Sequence, residues 1–436
     1  MKRSSPPRRA LVVSFEISRQ EDPTPSLAVG SLLAFARKQP GFGREFEVAN
    51  HAFQIGSAPL DAYLIAQQLA ERSVLKSLDL IAVAAYAWSE RVVAPLMDEL
   101  RNRGFAGDYL VGGYQVTPDV VTSDLYPAAR WIVEGPGERA LIRALLERPP
   151  ERLLTDGVSM EDLVSPYLTG VIDVPHGTTM VRMETQRGCR WRCSFCSYGG
   201  TRAGQILPVP QERVYGEIEL FAARGVKKVN ILDPEFNGTR RCLSVLRRMR
   251  EVGLQSRVTA QVRLENLVRA PWGTEFMDLA AGLDFHMEFG LQTAVAAESE
   301  AVNRRNDYDA VARALEALQR RDQSFEVSMI YGLPLQTVES FAESLEFLRR
   351  HGVPTVRCFP LMLHRGTRLS RERERYAIVE EVIDEFGIAF VTGSSTFSRR
   401  DWEEMRRMAQ EAMRSSIRPP VRSERVEPHS TAIATS

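Results

Sequence analysis

Three stretches in the second half of the chain alternate polar and apolar side chains residue by residue, and little else constrains the fold as tightly. In 181–186, Arg182, Glu184 and Gln186 share one face while Val181 and Met183 share the other. In 257–265 one face carries Arg257, Thr259, Gln261, Arg263 and Glu265, and the opposite face Val258, Ala260, Val262 and Leu264. In 284–292, Asp284, His286, Glu288, Gly290 and Gln292 alternate with Phe285, Met287, Phe289 and Leu291. Side chains of a strand flip face at each step, so each stretch predicts a strand with one polar side. Helical patterns at 211–224, 242–252, 307–319 and 338–350 separate the strands, which implies βα repeats and parallel pairing. The helices must cover the apolar side, so the polar side faces the lumen of a curved sheet. A closed eight-stranded barrel fills its lumen with bulky branched side chains. A lumen lined by Arg, Glu, Gln, His and Asp is instead open and holds a ligand. The competing reading, an antiparallel sheet with one wet face, conflicts with the helical spacers.

Upstream, short apolar runs at 11–15, 80–85 and 109–111 read as strands, and 60–70 and 92–103 as amphipathic helices. This alternation predicts a doubly wound α/β layer over 10–146. Residues 147–177, rich in Pro, Leu and Asp, read as a connector. Residues 178–365 carry the βα repeats, 366–414 a short C-terminal helical region, and 415–436 a tail with too little apolar surface to order itself. Residues 1–9 also read as a tail. The 436 residues hold 56 Lys+Arg and 56 Asp+Glu, so no basic excess marks a nucleic-acid binder. No apolar run is long enough for a membrane span and the start lacks a signal-peptide core. The five cysteines do not make a disulfide framework, which fits a cytoplasmic setting.

Three of those cysteines, Cys189, Cys193 and Cys196, fall in one short loop with the spacing C-x3-C-x2-C. A buried helix face would give the same i, i+4, i+7 stripe, but Gly188 and Gly199-Gly200 bracket the run and Arg190, Trp191 and Arg192 crowd it. Structural zinc wants four ligands in paired clusters, and Cys242 and Cys358 stand alone in the sequence. Three thiolates can hold three irons of a [4Fe–4S] cube and leave the fourth iron open.

The triplet resembles the signature loop of the radical S-adenosylmethionine (SAM) superfamily. Further segments are similar to its branch with an N-terminal cobalamin-binding-type domain: Asp233-Pro234-Glu235-Phe236-Asn237, Glu288-Phe289-Gly290-Leu291-Gln292-Thr293, 330–337 with Leu335 in place of a glycine, and 364–369 with Arg365 in place of a proline. Tyr86-Ala87-Trp88, Gly112-Gly113 and Gly135-Pro136-Gly137-Glu138 resemble the N-terminal domain of that branch. The resemblance implies a flavodoxin/Rossmann-like, cobalamin-binding-type domain followed by a partial (β/α)6 TIM-like barrel.

It also implies chemistry. The metal ligands are Cys189, Cys193 and Cys196, and the open iron binds SAM, whose reductive cleavage yields a 5′-deoxyadenosyl radical that abstracts hydrogen from substrate. Cofactor-binding candidates are Glu288 and Gln292 on a lumen face, Asp233 and Glu235 at the end of the second barrel strand, and Gly332, where the backbone can approach adenine. The family's Gly-Gly-Glu form is absent at 233–235. Catalytic candidates are Tyr198, two residues past the last thiol, and the carboxylates Glu184 and Glu265. Each glutamate has a bland alternative as a lumen salt bridge to Arg182, Arg257 or Arg263, and His286 reads as a satisfied core histidine. The D-x-H-x-x-G string of histidine-ligated cobalamin is missing, and His51 has the wrong context; that leaves cobalamin open. Glu184, Asp233, Glu235, Glu265, Asp284, Glu288 and Glu326 crowd the expected cavity, which suits a cationic, hydroxyl-rich substrate. The pattern is similar to the aminoglycoside diol-dehydratases, so dehydration is the leading expectation, with cobalamin-dependent methylation of a secondary metabolite as the alternative. A non-catalytic iron–sulfur or zinc protein is the reading from another class. Expected partners are a small polar substrate, a one-electron donor of the flavodoxin or ferredoxin type and a partner reductase, with no nucleic acid and no membrane.

Overall fold

β1 (Arg8–Glu16) sends Ala10 and Val12 into one apolar core and Leu11, Val13 and Phe15 into another. A strand buried on both faces belongs in the middle of a helix-covered parallel sheet. The computed structural model describes residues 6–16, 25–55, 60–72, 75–117, 119–120, 123–199, 204–383 and 387–416. In it β1 pairs in parallel with both β2 (Phe46–Gln54) and β3 (Leu80–Ala84). β4 (Asp108–Gly112), β5 (Trp131–Val133) and β6 (Leu153–Leu154) complete a six-stranded parallel sheet of order β2-β1-β3-β4-β5-β6. The first five strands follow the flavodoxin-like order, in which winding reverses between β1 and β3. Ligands of such sheets sit outside the carboxyl ends of the strands at that reversal. Two expectations change at the margins: β6 falls within 147–177, read as a connector, and β1 begins at Arg8, inside the expected tail.

The second sheet begins with β7 (Met180–Met183), followed by an antiparallel ribbon of β8 (Gln186–Arg187) and β9 (Leu207–Pro208). β10 (Lys228–Ile231), β11 (Arg257–Val262), β12 (Phe285–Gln292), β13 (Phe325–Tyr331) and β14 (Val356–Pro360) follow. They form a parallel six-stranded sheet of order β14-β13-β12-β11-β10-β7, the partial barrel expected from the alternating strands. Val181, Val229, Val258, Met287, Val327 and Cys358 line its apolar face against helices including Gln211–Ala223, Arg241–Glu251, Tyr308–Arg320 and Val338–Arg350. Register sets the lumen in layers. Arg182, Asn230, Thr259 and His286 are neighbours across β7, β10, β11 and β12. Gln261, Glu288 and Glu326 form the next layer, and Ile330 beside Phe359 lies nearest the carboxyl edge.

One strand is shorter than its alternation suggested. β11 ends at Val262 and Leu264–Arg269 is helical, so Glu265 leaves the lumen face. The cause is Asn237, whose side chain accepts from Arg263 N–H and donates to Arg263 C=O, both at 2.9 Å, taking the groups that would have continued the ladder. The C-terminal region holds the expected helices, Arg368–Arg371 and Arg399–Ser415, and also an unexpected hairpin, β15 (Val379–Val382) with β16 (Ala389–Gly393). Val391 N–H donates to Leu361 C=O and seats the hairpin beside the end of β14. Residues 417–436 of the expected tail lie outside the described residues. Among the described residues no helix is long and apolar enough to cross a membrane.

Three contacts turn the carboxyl edges of the two sheets toward each other. Arg187 pairs with Glu138 at 2.8 Å, Tyr114 Oη donates to Tyr198 Oη at 3.0 Å, and Arg365 pairs with Glu90, which also accepts from Gln115 at 3.1 Å.

Candidate active site

The cysteine loop is an excursion between β8 and β9, at the carboxyl edge of the barrel. Gly188 begins it with φ +93, and a Cβ there would lie 2.3 Å from Gln205 C=O, so only glycine fits the neck. Within the loop, Gly204 N–H donates to Cys189 C=O at 2.9 Å and Cys196 N–H to Cys193 C=O at 3.2 Å. The rest of its anchorage comes from distant segments. Ser194 N–H donates to Val302 C=O, and Asn303 Nδ2 donates to Arg192 C=O, both at 2.8 Å. Leu369 N–H reaches Ser194 C=O at 2.8 Å. The Arg263 guanidinium lies 3.7 Å from the Trp191 ring centroid, and Arg190 pairs with Glu235 at 3.0 Å. These contacts anchor the described part of the loop, and of their side chains only Glu235 was a site candidate from sequence.

The three thiols converge. Burial pushes the Cys196 thiol up to about 11, with Cys193 and Cys189 adding to the rise and Arg304 opposing it. Burial likewise raises Cys189, and Glu235 and Cys193 add to the effect. Arg304 Nη1 points at Cys193 Sγ from 3.8 Å while its Nη2 bonds Gly290 C=O. Among the described residues no three His, Cys, Asp or Glu side chains are grouped to hold a single metal ion. A four-iron cube is larger than one ion, and three thiols near enough to perturb one another, with a cationic neighbour, fit its net negative charge.

Arg304 also links the loop to the end of β12. The register slips between Gly290 and Gln292, and Gln292 has φ +75, a left-handed backbone that a side chain occupies at a cost of about 1–3 kcal/mol. Its Oε1 is buried with no hydrogen-bond partner. A strained residue with an unmet acceptor beside the thiols is what a ligand site leaves open before its ligand arrives. Of the cofactor-binding candidates, Gln292 has the clearest geometry.

The other candidates divide. Glu288 stands deeper, below the Gly290–Ser328 pair, flanked in register by Gln261 and Glu326. Asp233 is buried, and its carboxylate accepts from Thr185 N–H at 2.8 Å, Gln186 N–H at 3.3 Å and the Thr185 hydroxyl. It holds the path into the cysteine loop instead of facing the lumen. Burial raises its carboxyl to about 7 against those three bonds. Glu235 is also buried, paired with Arg190 and accepting from Asn266 Nδ2 at 2.8 Å, while its Oε2 accepts no hydrogen bond among the described residues. Gly332, with φ +91, would bring a Cβ to 2.9 Å from Val391 C=O, so the hairpin alone accounts for it. Glu265 is locked to Arg263 in a two-point ion pair at 2.8 and 3.0 Å. Glu184 pairs with Arg187 at 3.0 Å. Tyr198 meets Tyr114, and burial first, then Tyr114 and Glu184, hold its hydroxyl well above the usual phenol range. His286 bonds Ser324 at 2.8 Å and lies 3.5 Å from Glu326, deep in the lumen, as a satisfied histidine should.

Sequence reading also missed a network behind Gly332. Gln336 Oε1 accepts from Gly332 N–H at 2.7 Å and Leu333 N–H at 3.2 Å. Its Nε2 donates to Glu298, which also accepts from Thr293 at 2.6 Å.

Most of the acidic crowding that suggested a cationic substrate is offset by arginine. Glu184, Glu235 and Glu265 pair with Arg187, Arg190 and Arg263, and Asp284 lies 3.8 Å from Arg257. Glu326 pairs with Arg357 at 3.2 Å; burial would raise its carboxyl, but the His286 and Arg357 contacts leave it below the usual range. Near the mouth, Ile330 and a half-exposed Phe359 add apolar surface. The arginines were in the sequence, but which acid each would meet was not.

Across the gap, the crevice of the flavodoxin-like sheet is walled by aromatics. Trp88 Nε1 donates to Phe15 C=O at 2.8 Å, spanning the β1/β3 reversal. Tyr86 stacks on Trp88 at 4.9 Å, and Tyr114 stands 6.2 Å from Tyr86 and 5.6 Å from Tyr198. Gly113 has φ +122, and a Cβ there would meet Ala85 C=O at 2.4 Å. Flat apolar walls and a bare backbone turn fit a macrocycle such as a corrin. His51 is not among these walls; it packs on Phe53 at 4.6 Å in β2.

Comparison with known proteins agrees with this geometry. Residues 183–348 match the Radical SAM superfamily. The chain is 24% identical over 372 residues to the cobalamin-dependent radical SAM methyltransferase TokK of Streptomyces tokunonensis, covering 77% of this chain and 53% of that protein. It is 23% identical to a 2-(S-pantetheinyl)-carbapenam-3-carboxylate methyltransferase of Streptantibioticus cattleyicolor, covering 75% and 51%. The chain thus spans about half the length of these curated relatives. In fold it is similar to the radical SAM methyltransferase TsrM of Kitasatospora setae, with a TM-score of 0.66 at 16% identity over 93% of this chain and 89% of that one. The cobalamin-dependent SAM radical enzyme OxsB also gives 0.66, at 14% identity over 92% and 66%.

Proposed function

On the premise that residues 183–348 are a radical SAM domain, we propose that the chain is a cobalamin-dependent radical SAM methyltransferase acting on a carbon of a small secondary metabolite. The observation that carries the reading is the convergence of three strapped thiols on a lumen mouth that faces the ligand crevice of a flavodoxin-like sheet. The curated relatives that are methyltransferases support the same direction. Dehydration, the leading expectation from sequence, is set aside. Its argument was a cavity rich in free acid, and Glu184, Glu235 and Glu265 are paired with arginine.

Cys189, Cys193 and Cys196 would hold the [4Fe–4S] cluster. Gln292 would bind SAM through its unmet Oε1, with Glu288 deeper in the lumen. Trp88, Tyr86, Tyr114 and Gly113 would flank the corrin. Bound together, these groups supply one-electron cleavage of SAM and a methyl carrier. The chain contributes placement. Arg304 ties the Cys193 thiol to Gly290 C=O near the strained end of β12, so one side chain would fix a cluster ligand relative to the strand that carries Gln292. Tyr198 stays protonated at neutral pH and can donate one hydrogen bond into the gap between the sheets.

Anaerobic reconstitution tests the reading. The holoprotein is expected to carry about four irons per chain, to retain stoichiometric corrin and to turn SAM into S-adenosylhomocysteine. Protein that loads iron but retains no corrin and forms no S-adenosylhomocysteine would refute methylation.

A further inference from the structure

We propose that Glu138 and Tyr114 of the flavodoxin-like domain are positioning residues for the cluster: they grip the cysteine loop at its entry and its exit and so set where the three thiols stand. The inference rests on the reading that a cluster sits on those thiols. It gives the first domain a part in holding that cluster, besides its own ligand crevice.

The loop needs an outside hold. The ribbon it springs from has two residue pairs, Gln186 with Pro208 and Arg187 with Leu207, and Pro208 brings no N–H. So short a ribbon is not stable by itself. Gln186 is tied within the barrel domain, through its Nε2 to Glu235 C=O at 3.0 Å. Arg187, the last residue before the Gly188 neck, is tied outside it, to Glu138 Oε1 at 2.8 Å. Its Nε also donates to Glu184 at 3.0 Å, so the guanidinium lies between one acid of each domain. Glu138 opens the helix Glu138–Leu146, where the positive end of the helix dipole favours a carboxylate. It is buried, and its Oε2 accepts nothing among the described residues, so Arg187 is the cation that such a charge requires.

At the exit, Tyr198 stands two residues past Cys196 in the turn Ser197–Gly199. Its Oη accepts from Tyr114 Oη at 3.0 Å, and the two rings lie 5.6 Å apart. Tyr114 follows the end of β4 and Glu138 the turn after β5, so both grips come from the carboxyl edge of one sheet. Glu184 and Tyr198, singled out from sequence as catalytic candidates, are the barrel's side of these grips. The bland alternative is a pair of staples that join two domains and leave the thiols indifferent. The Arg365–Glu90 contact joins the same domains through other residues and tells the two apart.

The test uses the full chain, reconstituted with iron and sulfide, as Glu138→Ala, Glu138→Gln, Tyr114→Phe and the control Glu90→Ala. Two readouts bear on the thiols: the rate at which an iron chelator bleaches the cluster, and the low-temperature electron paramagnetic resonance of the dithionite-reduced cluster. Bleaching is expected to quicken about 10- to 100-fold in Glu138→Ala, where a buried cation loses one of its two acids. It is expected to quicken about three- to tenfold in Glu138→Gln and in Tyr114→Phe, each of which weakens or loses one hydrogen bond. The resonance should shift in all three and stay unshifted in Glu90→Ala, whose bleaching should stay close to wild type even where its thermal midpoint falls. Should Glu138→Ala not fold, Glu138→Gln carries the test, because it keeps an acceptor for Arg187. Wild-type bleaching and resonance in the folded Glu138 variants overturn the proposal for the entry, and in Tyr114→Phe for the exit. Glu90→Ala that bleaches as fast as the Glu138 variants overturns it as well, since domain packing in general would then be the cause. Wild-type protein that takes up no iron instead overturns the function reading beneath the inference.

Discussion

Replacing Asp233 by alanine and by asparagine separates its hydrogen bonds from its charge. In the fold it accepts from two backbone N–H groups and one hydroxyl at the entry to the cysteine loop. Asp233→Ala leaves three buried donors unmet, at about 1–3 kcal/mol each, so the loop entry is expected to lose about 3–9 kcal/mol against a whole-domain stability of about 5–15 kcal/mol. Asp233→Asn keeps a carbonyl for both N–H groups, and its amide can donate to the Thr185 hydroxyl, so its cost is about 1 kcal/mol. The charge is read from pH. The folded carboxyl titrates at about 7 and the unfolded one at its ordinary 3.8. A raised carboxyl means that the folded state holds a proton the unfolded state lacks between those values. Stability from this group is therefore complete below the unfolded value, declines as pH climbs, and is gone above about 7. The slope is about 1.4 kcal/mol per pH unit, so wild type loses about 2 kcal/mol between roughly pH 5.5 and 7, and Asp233→Asn loses none of it. Hydrogen exchange of the Thr185 and Gln186 amides, corrected for intrinsic pH dependence, reads this opening free energy directly. A wild-type-minus-asparagine difference that stays constant across that range, or an asparagine variant as damaged as alanine, would refute the argument.

Two further outcomes follow from the site. Trp191→Ala removes the face on which Arg263 rests, a contact of about 0.5–2 kcal/mol; the reconstituted cluster should bleach about three- to tenfold faster under an iron chelator, followed by visible absorbance. Gly113→Ala places a Cβ against Ala85 C=O at a positive φ, costing about 1–3 kcal/mol; thermal denaturation should show a lower midpoint and gel filtration a loss of retained corrin.

Periodicity made the barrel legible. Period-2 faces in 284–292 and helical spacers at 307–319 and 338–350 are local properties, and the structure follows them to within a residue in the helices. Residues 46–54 were missed because β2 is the edge strand, half-buried, and mixes polar with apolar residues without clean alternation. The thiol triplet was legible because its three ligands are contiguous. Its supports were not, since the partners of Trp191, Cys193 and Ser194 lie in segments set beside them only by the fold. Glu265 shows the limit of a face pattern: alternation in 257–265 ran on unbroken, and only the remote Asn237 reveals where the strand stops. Gln292 was chosen for its place on a strand face, but the slipped register and left-handed backbone that single it out are three-dimensional facts.

The straps on the cysteine loop carry a consequence for biogenesis. Asn303 and Arg304 lie 111 residues beyond their partners Arg192 and Cys193, and Leu369 comes later still. A ribosome releases the three sulfurs long before it releases what fixes them, so the nascent segment passes through an interval of loose, oxidisable thiols. Iron delivery is accordingly a late event, suited to a chain whose barrel has closed, and oxygen during synthesis is the hazard such a protein must outlast.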